Sequence, residues 1–549
     1  MASETADYLA TLTVVELKNI LKNHGYKMTG TKNILIERIL ENIANIILPT
    51  DTNISHKKSP SSKNKTIQKP LKSQKSKSKT NSVEDIKKEM YDLKNKSTAY
   101  KDTIQELIDN NIQTLNVISH RIDYKEFEIL TSAFLLNTSV TSINISNVSM
   151  NSRISNLIKK MMLTDRIESL SITRLLHGAT FDWLKNINEG IASSTRLSRL
   201  SLGGSYLFLK TLLGFVPSLL TITTLKSFDL SSTIPSESSE DIIINAILIN
   251  NKELQSLNLS TSDLGKIFVP ISHNITNSTT LEILDLSMNI FRENDIHALG
   301  NIMLNNTSIQ HLFIKSISCI GSNEYQPIIN GIEHNTSIKT LDISNNIFGK
   351  RFIHDLCRAI CISNNITYLD ISNITGALFD DYNISRAIAS VIKANVIEYL
   401  DISVNQLDSL RDIGDALAVN TSLKRLRMTQ NKCSDMEYFL RSLIKNNYLI
   451  DLELTGTYLG PMGAIFGEVV RSNTALKHID ISSTNLDIDA VQAIIDGLRH
   501  NDTITAIDIL HNPLIGFQLI DELDELLSRN EENYGIRNKQ LLTILNEML

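Results

Sequence analysis

A short signature, apolar-x-x-apolar-x-apolar, returns every 26 to 31 residues of this 549-residue chain between Ile112 and Ile509. Its fifteen copies begin at Ile112, Val140, Ile167, Leu197, Leu225, Leu254, Leu281, Ile309, Ile338, Ile366, Ile397, Leu423, Leu449, Leu476 and Ile504, an average period of 28 residues. A unit of this length cannot bury its apolar face alone, so stability has to come from stacking units in a line. Length alone would predict about three or four domains. The repeat overrides that estimate, because an array grows by adding units that touch only their neighbours.

Within each copy the strand comes first, as in LEILDLSMN from Leu281, IKTLDISNN from Ile338 and ITAIDILHN from Ile504. Strand alternation sends Leu284 and Leu286 inward and Ile283, Asp285 and Ser287 outward. Asn289, Asn346, Asn405, Asn431 and Asn512 fall in the following turn, where an amide side chain satisfies backbone groups of the adjoining coil. A helical half follows, for example RDIGDALAVNTSL, with Ile413, Ala416 and Leu417 on one face and Asn420-Thr421-Ser422 leading into the next strand. Helices are wider than strands, so the stack should bend, with a parallel sheet on its concave side and helices on its convex side.

The 28-residue period and the N-T-S-L junction resemble the ribonuclease-inhibitor class of leucine-rich repeats, a class also used in NOD-like receptors and the Ran GTPase-activating protein. For residues 112–516 the resemblance implies an α/β leucine-rich repeat solenoid, a curved horseshoe used for binding. It names no activity, because the partners of this scaffold differ widely. Open ends of an array need covers. Residues 83–111, with Ile86, Met90, Leu93, Ile104 and Leu107 at helical spacing, are the expected helical N-terminal cap, and 517–549 the helical C-terminal cap.

The front of the chain is different. Residues 12–43 read as two short amphipathic helices around a glycine-containing turn. Thr13 and Glu16 form a capping box, Leu17 and Leu21 share one face, Gly25 and Gly30 suit the turn, and Leu35, Ile36, Ile39 and Leu40 supply the second stripe. Val14, Leu17-Lys18, Leu21, Gly25, Gly30-x-Lys32, Leu35 and Arg38 resemble the SAP family of chromatin and DNA-repair modules, with Tyr26 where that family usually has leucine. A SAP-like hairpin at 8–46 implies DNA binding with weak sequence preference, through Lys18, Lys22, Lys27 and Lys32 and the backbone at Gly30 and Thr31.

Charge divides the chain in the same way. The net charge is −6, yet residues 51–83 hold nine lysines against Asp51, while the five basic and five acidic residues of 1–50 cancel. The segment 51–82 has too few large apolar residues to offset the entropy of ordering, and is expected to be a disordered linker whose lysines, Lys57 and Lys58 among them, add salt-sensitive phosphate contacts. The alternative is a plain solubilising linker. The repeats carry the acidic excess.

That excess lies at the middle outward strand position: Asp229, Asp285, Asp342, Asp370, Asp401, Glu453, Asp480 and Asp508. Neighbouring strands are about 4.8 Å apart, so these residues should form an acidic ladder that attracts a basic partner or a cation. The competing reading is that the carboxylates serve the scaffold by bonding nearby Ser and Thr. Phe313 with Lys315 and Arg425 with Arg427 interrupt the ladder, and Tyr368, Tyr399 and His478 flank it, the residue types that anchor interfaces. The concave face is therefore the candidate site for a protein partner. The lysine segment could also lie on this ladder until DNA competes it away.

Catalysis finds no support in motifs: there is no phosphate loop, no H-E-x-x-H and no paired C-x-x-C. Cys357 and Cys361 lie four apart on one predicted helix and read as packing or helix-surface residues, so no metal, cofactor or small-molecule substrate is expected. The first residues, MASETADYLA, lack a basic n-region and an apolar h-region, and no stretch is long and apolar enough for a membrane span. The few scattered cysteines favour a reducing compartment. The chain thus reads as an intracellular, nonenzymatic, DNA-associated adaptor, in the nucleus or another DNA-containing compartment. A GTPase regulator or a pure protein scaffold are the alternatives.

Overall fold

The computed structural model describes residues 84, 100–118, 122–174, 183–204, 215, 218–232, 240–319, 325–374, 384–407, 409–512 and 517–548. The hairpin at 8–46, the segment 51–82 and Ile86, Met90 and Leu93 lie outside them, and so do the candidate DNA contacts Lys18, Lys22, Lys27, Gly30, Thr31, Lys32, Lys57 and Lys58. The chain divides into two compact units, the first running to Leu225 and including Ser236–Asn251, the second made of Lys226–Pro235 and Lys252 onward.

In the first unit β1 (Thr114–Ile118), β2 (Ser142–Ser146), β3 (Ser169–Thr173) and β4 (Arg199–Ser201) pair in chain order, all parallel. The second unit contains β5 (Ser227–Asp229), β6 (Ser256–Asn258), β7 (Ile283–Asp285), β8 (Ile290–Phe291), β9 (His311–Phe313), β10 (Ser318–Cys319), β11 (Thr340–Asp342), β12 (Tyr368–Asp370), β13 (Tyr399–Asp401), β14 (Arg425–Arg427), β15 (Asp451–Glu453), β16 (His478–Asp480) and β17 (Ala506–Asp508). There β8 and β10 form a separate pair, and the other strands follow one another in parallel. A helical segment separates most successive strands, so each rung is a strand and a return path. This is the leucine-rich repeat architecture.

Each rung closes because its three signature residues are buried. Leu281, Leu284 and Leu286 have no exposed surface, nor do Leu423, Leu426 and Met428. Each such side chain contributes about 1.5–3 kcal/mol of burial. Helices complete the core from the other side, as Ile413, Gly414, Ala416 and Leu417 do on Arg411–Leu417.

Two asparagine series then tie rung to rung. After the strand, the amide nitrogens of Asn289, Asn346 and Asn405 donate to the carbonyls of Leu259, Ile314 and Ile371 in the rung before, at 2.9, 2.9 and 2.7 Å. After the helix, Asn420 donates to Ile392 at 2.6 Å and accepts the Ser422 and Leu423 amides at 3.1 and 2.7 Å. In the first unit Asn137 does the same with Leu107, Ser139 and Val140. Asn137, Asn306, Asn335 and Asn420 are only 1–4% exposed. Buried and multiply bonded, these amides cannot take a sugar without unfolding the rung, although each begins an Asn-x-Ser/Thr triplet.

The seventh residue after each signature start is left-handed in every described rung from the second onward: Asn147, Arg174, Gly204, Ser232, Thr261, Met288, Ser316, Asn345, Asn373, Val404, Gln430, Gly456, Ser483 and His511 have φ between 50° and 70°. Only two are glycine. The stack imposes this conformation even on Val404, for which it is costly.

The ends are covered by helices that continue these bonding patterns. Lys101–Ile108 buries Ile104 and Leu107 and offers the Leu107 carbonyl to Asn137 at 2.9 Å. At the other end, Asn530 on the helix Phe517–Met548 donates to the carbonyls of Asn501 and Ile504 at 3.1 and 2.8 Å, and Arg529 donates to Leu498 and Asn501. The last rung is thus capped by the same amide chemistry that joins the rungs. No described helix is long and apolar enough to cross a membrane.

Candidate functional site

Strand register aligns the outward residues of the second unit into rows. The middle row runs Asp229, Asn258, Asp285, Phe313, Asp342, Asp370, Asp401, Arg427, Glu453, Asp480 and Asp508, each a direct register partner of the next. The row beside it holds His311, Thr340, Tyr368, Tyr399, Arg425, Asp451, His478 and Ala506. The ladder read from sequence is one continuous line. Lys315 lies two residues beyond Phe313 and is exposed.

Most of these acids have a local duty. Asp229, Asp285, Asp342, Asp370, Asp401, Asp480 and Asp508 each accept, through Oδ1, the backbone amide two residues on, at 2.8–3.0 Å. Ser344, Ser372 and Ser482 add hydroxyl bonds to the same oxygens. The bond stops the strand and starts the turn, so the scaffold does use these side chains. The bond itself does not need their charge. Asn258 makes the identical bond to Ser260 at 3.0 Å with a neutral oxygen, and the corresponding row of the first unit is Asn116, Asn144, Ser171 and Ser201.

The charge therefore accumulates on one face without that bond requiring it. Burial, reinforced by the neighbouring Asp401 and Asp342, pushes the Asp370 carboxyl up to about 6. Where Arg427 enters the row, the repulsion is relieved: its guanidinium reaches Glu453 at 2.6 Å, Asp401 at 3.5 Å and the Tyr399 hydroxyl at 3.5 Å. The bond to Glu453, more than any other contact, holds Arg427 protonated well above its ordinary range.

In the adjacent row, Asp451 is held by Arg425 at 2.7 Å and by His478 Nδ1 on its other side. The Tyr368 and Tyr399 rings stack at 4.0 Å with an interplanar angle of 2°. Burial against this neighbour pushes the Tyr368 hydroxyl up from its usual value. Tyr399, Arg425, Arg427, Asp451, Glu453, His478, Asp480 and Asp508 line a shallow open depression with a cavity volume of about 410 Å³.

The sequence-derived partner residues Asp285, Phe313, Asp342, Tyr368, Asp370, Tyr399, Asp401, Arg425, Arg427, Glu453, His478, Asp480 and Asp508 lie on this sheet of the second unit, and Lys315 lies in the turn that follows β9. They are not equally available, because the Asp401 side chain is only 6% exposed beside Arg427. Reading single residues missed Asp451, the centre of the Arg425–His478 pair, and Thr340 and His311, joined at 2.9 Å. The outward residue two places before the ladder position would have found all three.

Elsewhere, Cys357 is buried, and burial also pushes the Cys433 thiol up to about 12, so neither offers a thiolate. Among the described residues, no group of three His, Cys, Asp or Glu side chains is placed to hold a metal ion.

Three comparisons relate the chain to known proteins. Residues 9–44 match the SAP domain family, the segment that carries the hairpin signature. Protein CARMIL of Dictyostelium discoideum is similar over 373 residues at 25% identity, which covers 63% of this chain and 32% of that protein. The chain thus spans about a third of the length of that curated relative. Among solved structures, an internalin from Listeria monocytogenes aligns over 77% of this chain and 94% of its own, at 18% identity and a TM-score of 0.36. Leiomodin-1 actin-binding site 2 aligns over 29% of this chain and 95% of its own, at 20% identity and a TM-score of 0.25.

Proposed function

We propose that the chain is a DNA-associated adaptor: the SAP module and the lysine-rich segment hold duplex DNA, and the charged sheet face of the second unit holds a protein. The SAP match at residues 9–44 is the observation that carries the first half. The second half rests on the carboxylate row, whose structural bond a neutral Asn258 makes equally well. Joining two modest binders in one chain raises the local concentration of the protein partner at DNA without tight binding by either.

The test is fluorescence anisotropy of the full chain with labelled duplex DNA across a salt series. Binding should weaken steeply with salt, and charge reversal of Lys18, Lys22, Lys27 and Lys32 together should weaken it about tenfold or more at moderate salt. Duplex DNA that fails to bind the intact chain at low salt would overturn the adaptor reading. The compartment this reading implies is a nucleus or another DNA-containing space.

A further inference from the structure

Around β11 the outward side chains set two carboxylates beside a stacked tyrosine. On β11 the outward pair is Thr340 and Asp342; β9 places His311 and Phe313 on one side of it, and β12 places Tyr368 and Asp370 on the other. Tyr399 covers one face of the Tyr368 ring in a parallel stack at 4.0 Å. On the other side of Tyr368 the register partner is Thr340, a short side chain. His311 Nδ1 is fixed to the Thr340 hydroxyl at 2.9 Å, which holds the far wall in place.

The rungs flanking β11 are separated by two strand spacings, roughly 10 Å, and a planar group in van der Waals contact on both faces needs ~7–8 Å. Asp342 and Asp370 stand side by side at the end of this slot. Each spends Oδ1 on the backbone and keeps its second oxygen for another donor.

The same rows already show which group they accept. Two rungs beyond Asp370, Arg427 places its guanidinium between Asp401 and Glu453 and against the Tyr399 hydroxyl. Carboxylates one rung to either side of Arg427, with a tyrosine alongside, are met there by an arginine of the chain itself. Asp342 and Asp370 stand on adjacent rungs with Tyr368 alongside, the same residue types in a closer pair. A planar, weakly hydrated guanidinium suits it better than an ammonium, since it stacks on an aromatic face while donating to two carboxylates.

We propose that the slot between β9 and β12 receives an arginine side chain from a basic segment of a partner protein, its plane against Tyr368 and its donors on Asp342 and Asp370. This rests on the reading of the sheet face as a protein-binding surface, and it names the chemistry of the partner. The Arg425–Asp451–His478 group farther along the same row is already paired within the chain.

The experiment is anisotropy titration of the full-length chain with a fluorescein-labelled peptide of alternating arginine and glycine, beside matched lysine–glycine and glutamine–glycine peptides. The arginine peptide should bind saturably and the glutamine peptide should not. Asp342→Asn with Asp370→Asn should weaken arginine-peptide binding about tenfold, near 1.4 kcal/mol. Asp480→Asn with Asp508→Asn, on the same row but away from the slot, should change it less than about twofold. Tyr368→Leu should remove the preference for arginine over lysine, an effect that general loss of negative charge does not produce.

Equal losses from the two Asp pairs, or no preference for arginine, would overturn the proposal. So would a greater than about tenfold gain in peptide affinity when the nine lysines from Lys57 to Lys79 become glutamine, since the slot would then belong to the chain's own lysine segment. Hydrogen exchange of each variant separates a lost contact from a lost fold. Duplex binding measured on the same samples keeps the two readings apart: the slot variants should bind DNA unchanged, and failure of the intact chain to bind DNA would sink the adaptor while leaving the slot standing.

Discussion

The two units are built from the same rung and dressed differently. In the first, the middle outward row is Asn116, Asn144, Ser171 and Ser201; in the second it holds seven aspartates and Glu453, interrupted by Asn258, Phe313 and Arg427. Asn144 donates to Asn116 across neighbouring strands at 2.8 Å, a bond two carboxylates cannot make. The contrast separates what the architecture needs, a polar outward side chain, from what one region adds to it. A row of carboxylates carries unfavourable repulsion that the first unit avoids.

The largest expected effect tests the shared part. Asn420→Ala in the second unit and Asn137→Ala in the first each strand a carbonyl and two amides in the interior. Each should cost about 2–4 kcal/mol, read as faster hydrogen exchange of the adjoining rungs. A large loss in one unit and none in the other would break the view that the rungs are equivalent.

Next comes the place where charge is already balanced. Arg427→Leu leaves Asp401 and Glu453 facing each other without a cation. Breaking a fully buried pair costs ~3–5 kcal/mol, but Arg427 is 40% exposed and water screens the remainder, so about 1–2 kcal/mol is expected. Urea unfolding followed by circular dichroism gives the value.

Asp370→Asn sharpens the comparison with a pH signature. The folded carboxyl titrates near 6 and an unfolded one near ~3.9. The folded chain therefore keeps a proton that the unfolded chain has released, and the stability associated with that proton is lost as pH rises from ~4 through ~6. Asparagine retains the oxygen that accepts the Ser372 amide and removes the charge. The variant should be more stable than the parent by about 1 kcal/mol at pH 7.5, with the gain gone near pH 4. A gain independent of pH would exclude electrostatics as its cause.

The smallest effect lies at the left-handed position. Val404 has φ 58° and Arg174 in the first unit φ 50°. Asparagine tolerates this region, so Val404→Asn should stabilise by roughly 0.5–1 kcal/mol and Arg174→Asn by less, because valine is branched at Cβ. Thermal unfolding of both variants checks the order.

The fold was legible because burial acts on the signature itself: Leu281, Leu284 and Leu286 announce a strand and its inward face, and the period announces the stack. The acidic row was legible for the same reason, since a fixed period fixes register. The left-handed turn was not, because the stack imposes it on Met288, Val404 and Arg174 alike, and only Gly204, Gly456 and the asparagines Asn147, Asn345 and Asn373 mark it in sequence. The scaffold bond of the aspartates was half legible. D-x-S recurs at Asp229, Asp285, Asp342, Asp370, Asp401 and Asp480, but only the neutral substitute at Asn258 separates the need for an oxygen from the need for a charge. The slot beside Tyr368 depends on which residue stands across from which, and that needs register between strands 28 residues apart.

The central claim is that the charge of the second unit's row serves binding and not folding. One variant tests it most directly: Asp285, Asp342, Asp370, Asp480 and Asp508 all replaced by asparagine in the full chain, with urea unfolding followed at pH 7.5. The account predicts an unfolding midpoint equal to or above that of the parent, since five carboxylates leave and five accepting oxygens stay. A midpoint lowered by the equivalent of ~2 kcal/mol or more, well beyond extrapolation error, would show that the charges hold the rungs together and would contradict it.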